Sequence, residues 1–465
     1  MIRMAVTLVV ALTLLSCDKD KDKSNDSDQK VTEEAQGDEN LDEKSGAVEE
    51  NNGEPKPQDF NQTLATVSQN LGAFLQSDSF RKFFESPVNI DPRPVHHEAI
   101  GNADGNFWNI FHHGQYDHLE DILGLYSQEL NQKIPDNMHV KSRTGFLHAW
   151  KFFERFRGDN LAIDIPGLEA CSAEFKRANE LSDMDDPVYL GFWASCEVAI
   201  AFLTQDAPRL AASEEIVGKA LASWPEFNLF TIGYVLTSVL PSETPTYDLG
   251  LEMFFINIES CFGMEVDRGS PMLPPYNPEA AVTEGRKRTC WNSEKAPHNI
   301  EGFSMSFGDA LVKKGNFGGA MNMYLGALGI SLLHMEAPSG PMPPEAAPLF
   351  EAIGTVGAIF QQGPQALGEN LMTPEFFGNL TVMASAPANA YPWPYTVEVI
   401  EKILNLIKDM QTNSNSLQLK FQNPINEVDG TPQSPAMMLH SKYSCQGCHG
   451  KINPDDLSGQ QPPQQ

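Results

Sequence analysis

Large apolar residues recur at intervals of three and four from about residue 60 to 411, and this spacing constrains the fold more than any other feature of the chain. It is plain in "FLHAWKFFERF" (146–156), "PVYLGFWASCEVAIAFL" (187–203) and "VEVIEKILNLIKDM" (397–410). Residues so spaced share one face of an α-helix, whereas a half-buried strand alternates with period two. Alternating runs are scarce, so the spacing predicts an all-α protein.

Some of these helices also read as a repeat. In 301–328, Phe307-Gly308-x-x-Leu311 is followed by Gly315-x-Phe317, Ala320-x-x-x-Tyr324 and Ala327, a pattern that resembles a tetratricopeptide repeat. Gly308 and Ala320 are small where two helices would touch, and Tyr324 would fill the groove beside them. The pattern departs at Ser304, where that family usually has Trp, and no proline closes the repeat. "VGKALASWP" gives a half-match through Val217, Ala220 and Pro225. Gly233, Leu236, Tyr247, Gly250 and Phe254 give another, with a longer loop and with Asn257 where the family prefers alanine. The resemblance covers about a quarter of the chain and implies helical hairpins stacked as a solenoid; a generic helical bundle is the alternative.

The chain opens "MIRMAVTLVVALTLLSC". One positive charge, an apolar run shorter than a membrane span and a small-residue exit read as a secretion signal. Leu14-Leu15-Ser16-Cys17 resembles a bacterial lipobox, which implies a lipidated Cys17 and a protein held at a membrane facing the periplasm; an uncleaved anchor is the alternative. Asp18 resembles an inner-membrane retention signal, although the choice of membrane stays open. From Asp18 to about Asp59 the chain is acidic and almost without large apolar residues, so it cannot offset its ordering entropy. It is expected to be a flexible tether reaching on the order of 35 Å.

With 62 acidic and 32 basic residues the net charge is −30, which argues against a phosphate-binding surface and hence against nucleic acid. The one basic cluster, Arg286-Lys287-Arg288, is too small to alter that. Seven cysteines divide by context. Cys17 goes to lipid, while Cys171, Cys196, Cys261 and Cys290 form an even remainder in an oxidising compartment, where three connectivities are possible. Cys171 and Cys196 flank a turn near 182–187, so the expected pairs are Cys171 with Cys196 and Cys261 with Cys290. Four buried free thiols are the alternative.

Cys445 and Cys448 remain, in "YSCQGCHGK" close to the C-terminus. Two thiols separated by two residues and followed by His449 resemble the attachment motif of c-type cytochromes. The resemblance implies haem c bound through Cys445 and Cys448, with His449 on the iron. A thioredoxin-like motif would want a strand-helix-strand setting, and a zinc site would need further ligands. The tail beyond the motif holds neither Met nor His, so a sixth ligand must come from upstream. Met437, Met438 and His440 are nearest; His112 and His113 are further candidates within a stretch that also holds His96, His97 and His118. Capping or loop positions are the plainer reading of those histidines. Cytochromes c-prime also carry the motif late in a helical bundle, but Gly450 and Pro454 would break their continuing helix.

The expected organisation is therefore a signal peptide with lipobox (1–17), an acidic linker (18–59), a helical repeat-like body (60–411) and a haem-attachment segment (412–465). The expected function is electron transfer by a membrane-anchored, periplasm-facing mono-haem cytochrome, with a periplasmic redox protein or membrane complex as partner. The competing reading is a repeat scaffold for protein partners in which haem is structural or absent; a haem peroxidase or gas sensor is a third. No constellation for hydrolysis is evident, and whether the chain is an enzyme is left open.

Overall fold

A computed structural model describes residues 59–88, 98–155, 163–182, 186–273, 285–290, 300–335, 344–362, 364–423 and 445–449. Cys17, the acidic linker, His96, His97, Met437, Met438 and His440 lie outside the described residues. Among the described residues there is no strand, and the helices pack in hairpin-like pairs, an all-α body.

The helices are α1 (Phe60–Gln76), α2 (Asp78–Phe83), α3 (Glu98–His112) and α4 (Leu119–Gly124), the last continued by a π-helical turn, Leu125–Leu130. Then come α5 (Met138–Phe153), α6 (Ile165–Leu181), α7 (Pro187–Thr204), α8 (Ala207–Ser223), α9 (Pro225–Val239) and α10 (Pro245–Phe262). The remainder are α11 (Ile300–Lys314), α12 (Phe317–Leu333), α13 (Ala347–Gln361), α14 (Pro364–Asn370), α15 (Pro374–Ala384), α16 (Thr396–Thr412), α17 (Ser416–Gln422) and a terminal turn, α18 (Gln446–His449).

Local sequence sets many of these boundaries. Asp164, Asp186, Asp206, Thr244 and Thr373 each precede a helix with proline in its first turn, and each side chain accepts from a backbone N–H of that turn. Such a cap stabilises a helix start by about 1 kcal/mol, and proline there gives up only an N–H that would lack a partner anyway. At the other end, Gly263 (φ +69°) and Gly315 (φ +87°) take the left-handed conformation that stops α10 and α11.

Successive helices pair: α5 with α6, α7 with α8, α9 with α10 and α11 with α12, with α7 also lying along α9. Small residues permit the closest approaches. A Cβ added at Gly308 in α11 would fall 2.5 Å from the Tyr324 ring of α12, so the tyrosine fills the groove that the glycine leaves. Gly233 and Gly250 do the same for α9 and α10, where an added Cβ would meet backbone or side-chain atoms at 2.9 to 3.1 Å.

Buried polar groups tie these pairs together. Lys402 of α16 donates to both Asp309 oxygens at 2.8 Å and Tyr324 donates to the same carboxylate at 2.6 Å, with Asp309, Tyr324 and Lys402 all fully buried. Lys313 donates to the carbonyls of Thr237 and Leu240 at the end of α9, and burial pushes its ammonium down to about 8. The packed helices run past residue 411, since Leu417 and Phe421 of α17 are buried and α17 packs on α11. Helix α7 is long and apolar enough to cross a bilayer, and 61% of it is buried inside the body, as in the core helix of a packed domain.

Candidate functional site

Residues 445–449 form a single turn in which the His449 N–H donates to the Cys445 carbonyl at 3.0 Å. On one helical turn, positions i, i+3 and i+4 share a face. Cys445, Cys448 and His449 therefore point the same way, and all three line one apolar hollow.

The body supplies the rest of that hollow. Helix α5 contributes Phe146, Ala149 and Phe153, and α6 contributes Leu168. Helix α7 presents Phe192, Ser195, Cys196 and Ala199; α9 presents Phe230, Thr231, Tyr234 and Val235. Two of the hydroxyls are turned to their own helices, Ser195 donating to the Gly191 carbonyl and Thr231 to that of Phe227. The walls are thus dominated by aromatic and aliphatic surface. The apolar spacing read in 146–156 and 187–203 falls on α5 and α7, which with α9 deliver these side chains to a common space.

His449 packs against Phe111 of α3 and Phe146 of α5, with ring centroids 5.0 and 6.0 Å apart. Burial, with the nearby His112 adding to it, pushes its imidazole down to about 3. The ring is neutral through the physiological range, the form that can offer a lone pair to a metal. Cys448 is buried, its sulfur 3.6 Å from the Ser306 hydroxyl of α11, and burial pushes its thiol up to about 12. The Cys445 N–H donates to Glu154 Oε1 at 2.8 Å, and the other Glu154 oxygen accepts from the Trp150 indole, also at 2.8 Å.

The remaining predicted residues spread more widely. His112 stacks on Trp108 with centroids 5.0 Å apart. The His113 ring nitrogen lies 2.7 Å from the Asn109 carbonyl, and His118 lies 3.9 Å from Asp121 at an exposed position. Of these, His112 alone exerts a charge effect on His449. Among the described residues no three His, Cys, Asp or Glu side chains converge as a closed metal cage would require. The other four cysteines among the described residues are bonded, Cys171 to Cys196 and Cys261 to Cys290. The first bond joins α6 to α7, so it also braces the wall that Cys196 forms. Arg286, from the basic cluster, makes a two-pronged ion pair with buried Glu226, and the Arg288 guanidinium lies 4.9 Å above the Trp224 ring.

Sequence reasoning missed Glu154, Ser306 and the cavity walls. A carboxylate at the end of the aromatic run "FLHAWKFFERF" was the available signal for Glu154, because a charge that close to an apolar stripe needs a partner.

Chemically, the site offers two thiols outside both disulfides, one neutral imidazole, and apolar walls around the space that they share. That donor set suits a flat, apolar, iron-bearing ring better than a bare ion, which would want polar or charged ligands on several sides. No family model matches the chain, and no curated protein or solved structure matches it either.

Proposed function

We propose that this chain is a mono-haem c-type cytochrome whose work is electron transfer, with haem c held between its C-terminal turn and its helical body. The observation that carries this reading is that Cys445, Cys448 and His449 line one apolar hollow whose walls come from residues 146 to 235. Cys445 and Cys448 would hold the porphyrin through thioether bonds and His449 would ligate the iron. Bound there, the group would supply a one-electron couple.

The chain's own residues account for the rest. Phe146, Phe153, Phe192 and Phe230 give the hollow apolar walls and would keep water from a group bound there, which would raise the electrostatic weight of any charge change inside. Phe111 and Phe146 fix the plane of the His449 imidazole by packing on it. Cys17 would anchor the molecule by lipid at a membrane facing the periplasm, where covalent haem attachment takes place. A periplasmic redox protein or a membrane complex is the proposed partner. Helical hairpins also suit a scaffold, and that reading survives if haem proves absent.

The test is expression of the full chain in a host that matures c-type cytochromes, beside a Cys445→Ser, Cys448→Ser variant. Haem-dependent peroxidase staining on a denaturing gel should mark the first and fall to background in the second. Equal staining of both would overturn attachment at these cysteines.

A further inference from the structure

We infer that Glu154 is a latch that docks the terminal haem-attachment turn onto the helical body. Glu154 directly follows α5 and is fully buried. Its Oε1 accepts from the Cys445 N–H and its Oε2 from the Trp150 indole, each at 2.8 Å, so both oxygens act as acceptors, the pattern of an ionised carboxylate. Hydrogen bonds to a charged acceptor are roughly twice as strong as neutral ones.

The bond sits where it has most leverage. A helix of one turn leaves its first N–H groups without partners inside the turn, and Cys445 opens this one. The latch spans 291 residues of sequence and reaches the very residue that begins the attachment motif. Trp150, itself fully buried and edge-on to Phe111 at 4.8 Å, holds the carboxylate on its other side. Phe111 in turn packs on His449. Thus one side chain sets where the turn begins, and its neighbours set where the turn's histidine ends.

A second consequence rests on the haem reading above. A buried negative charge one hydrogen bond from Cys445 favours the more positive, oxidised state of an iron held there, so Glu154 lowers the reduction potential. Glu154 is a positioning residue in this account, since it acts through Cys445.

Hydrogen–deuterium exchange of the full haem-free chain tests the latch without any cofactor. In Glu154→Ala, the peptide containing 445–449 should exchange about tenfold faster than in the parent chain, while peptides from α9 to α12 stay unchanged. Glu154→Gln keeps one acceptor oxygen and should show a smaller increase. Should Glu154→Ala lose its helical circular dichroism, the glutamine variant carries the comparison. Exchange at the parental rate in the folded variants would overturn the latch. In haem-loaded protein, potentiometric titration should give Glu154→Gln a higher midpoint potential than the parent, and an unchanged potential would overturn the electrostatic half. A parent chain that takes up no haem sinks the haem reading instead, with the exchange result still deciding on the latch.

Discussion

The hairpin of α11 and α12 and the space between α5, α7 and α9 are built from the same apolar spacing, yet one is filled and the other is hollow. In the hairpin, Gly308 makes room and the Tyr324 ring occupies it, with its hydroxyl secured by Asp309. In the hollow, Phe146, Phe153, Phe192 and Phe230 stand around a space that Cys445, Cys448 and His449 also line. Interiors pack as densely as organic crystals, and atoms facing a void forfeit their dispersion contacts. The difference teaches that amphipathic spacing places side chains on a face, while the sizes of residues meeting across that face decide whether a core or a cavity results. That the cavity opens onto two thiols and an imidazole is what gives it chemical meaning.

The filled region can be broken most severely at its buried ion pair. Lys402→Ala leaves Asp309 without its cation partner in a dry core, and should cost about 3–5 kcal/mol in guanidinium unfolding. A loss under about 1 kcal/mol would mean that water reaches Asp309.

A smaller effect sharpens the contrast directly. Gly308→Ala adds one carbon where Tyr324 already sits and should destabilise by about 1–3 kcal/mol. Ala149→Leu adds three carbons at the cavity wall, and should cost less than about 1 kcal/mol in the haem-free chain while reducing haem incorporation. Equal destabilisation by the two, read from thermal melts, would mean that the hollow is no roomier than the hairpin.

The smallest effect concerns acid. Burial alone would raise the Asp104 carboxyl, but the His139 hydrogen bond and the charges of Arg143 and His139 outweigh it and hold the group well below the usual carboxylate range. Its contribution is therefore fully present above the unfolded value near pH 4 and declines as pH falls towards the folded value. Denaturant midpoints at pH 7 and pH 3 should show a loss of about 1 kcal/mol from this group that disappears in Asp104→Asn. An identical acid loss in both proteins would contradict that assignment.

Much of the fold was legible because it is written locally. Three-four spacing acts within a turn or two, and Cys171 and Cys196 stand close on successive helices. The grouping of Cys445, Cys448 and His449 was legible because the three side chains fall on one turn. What faces that turn was not, since the cavity depends on which surfaces of α5, α7 and α9 meet, and no local pattern encodes the gap between them. Glu154 was hidden for a related reason: its partner is a backbone N–H, which every residue but proline carries and no sequence pattern marks. His112 was legible as a histidine near the site but not as a ring stacked on Trp108.

The most direct measurement is the intact mass and visible spectrum of the full chain, purified under denaturing conditions after maturation in a competent host. The account predicts one haem added per polypeptide, retained through denaturation, with the absorption of an iron porphyrin. A colourless chain of unmodified mass would contradict it.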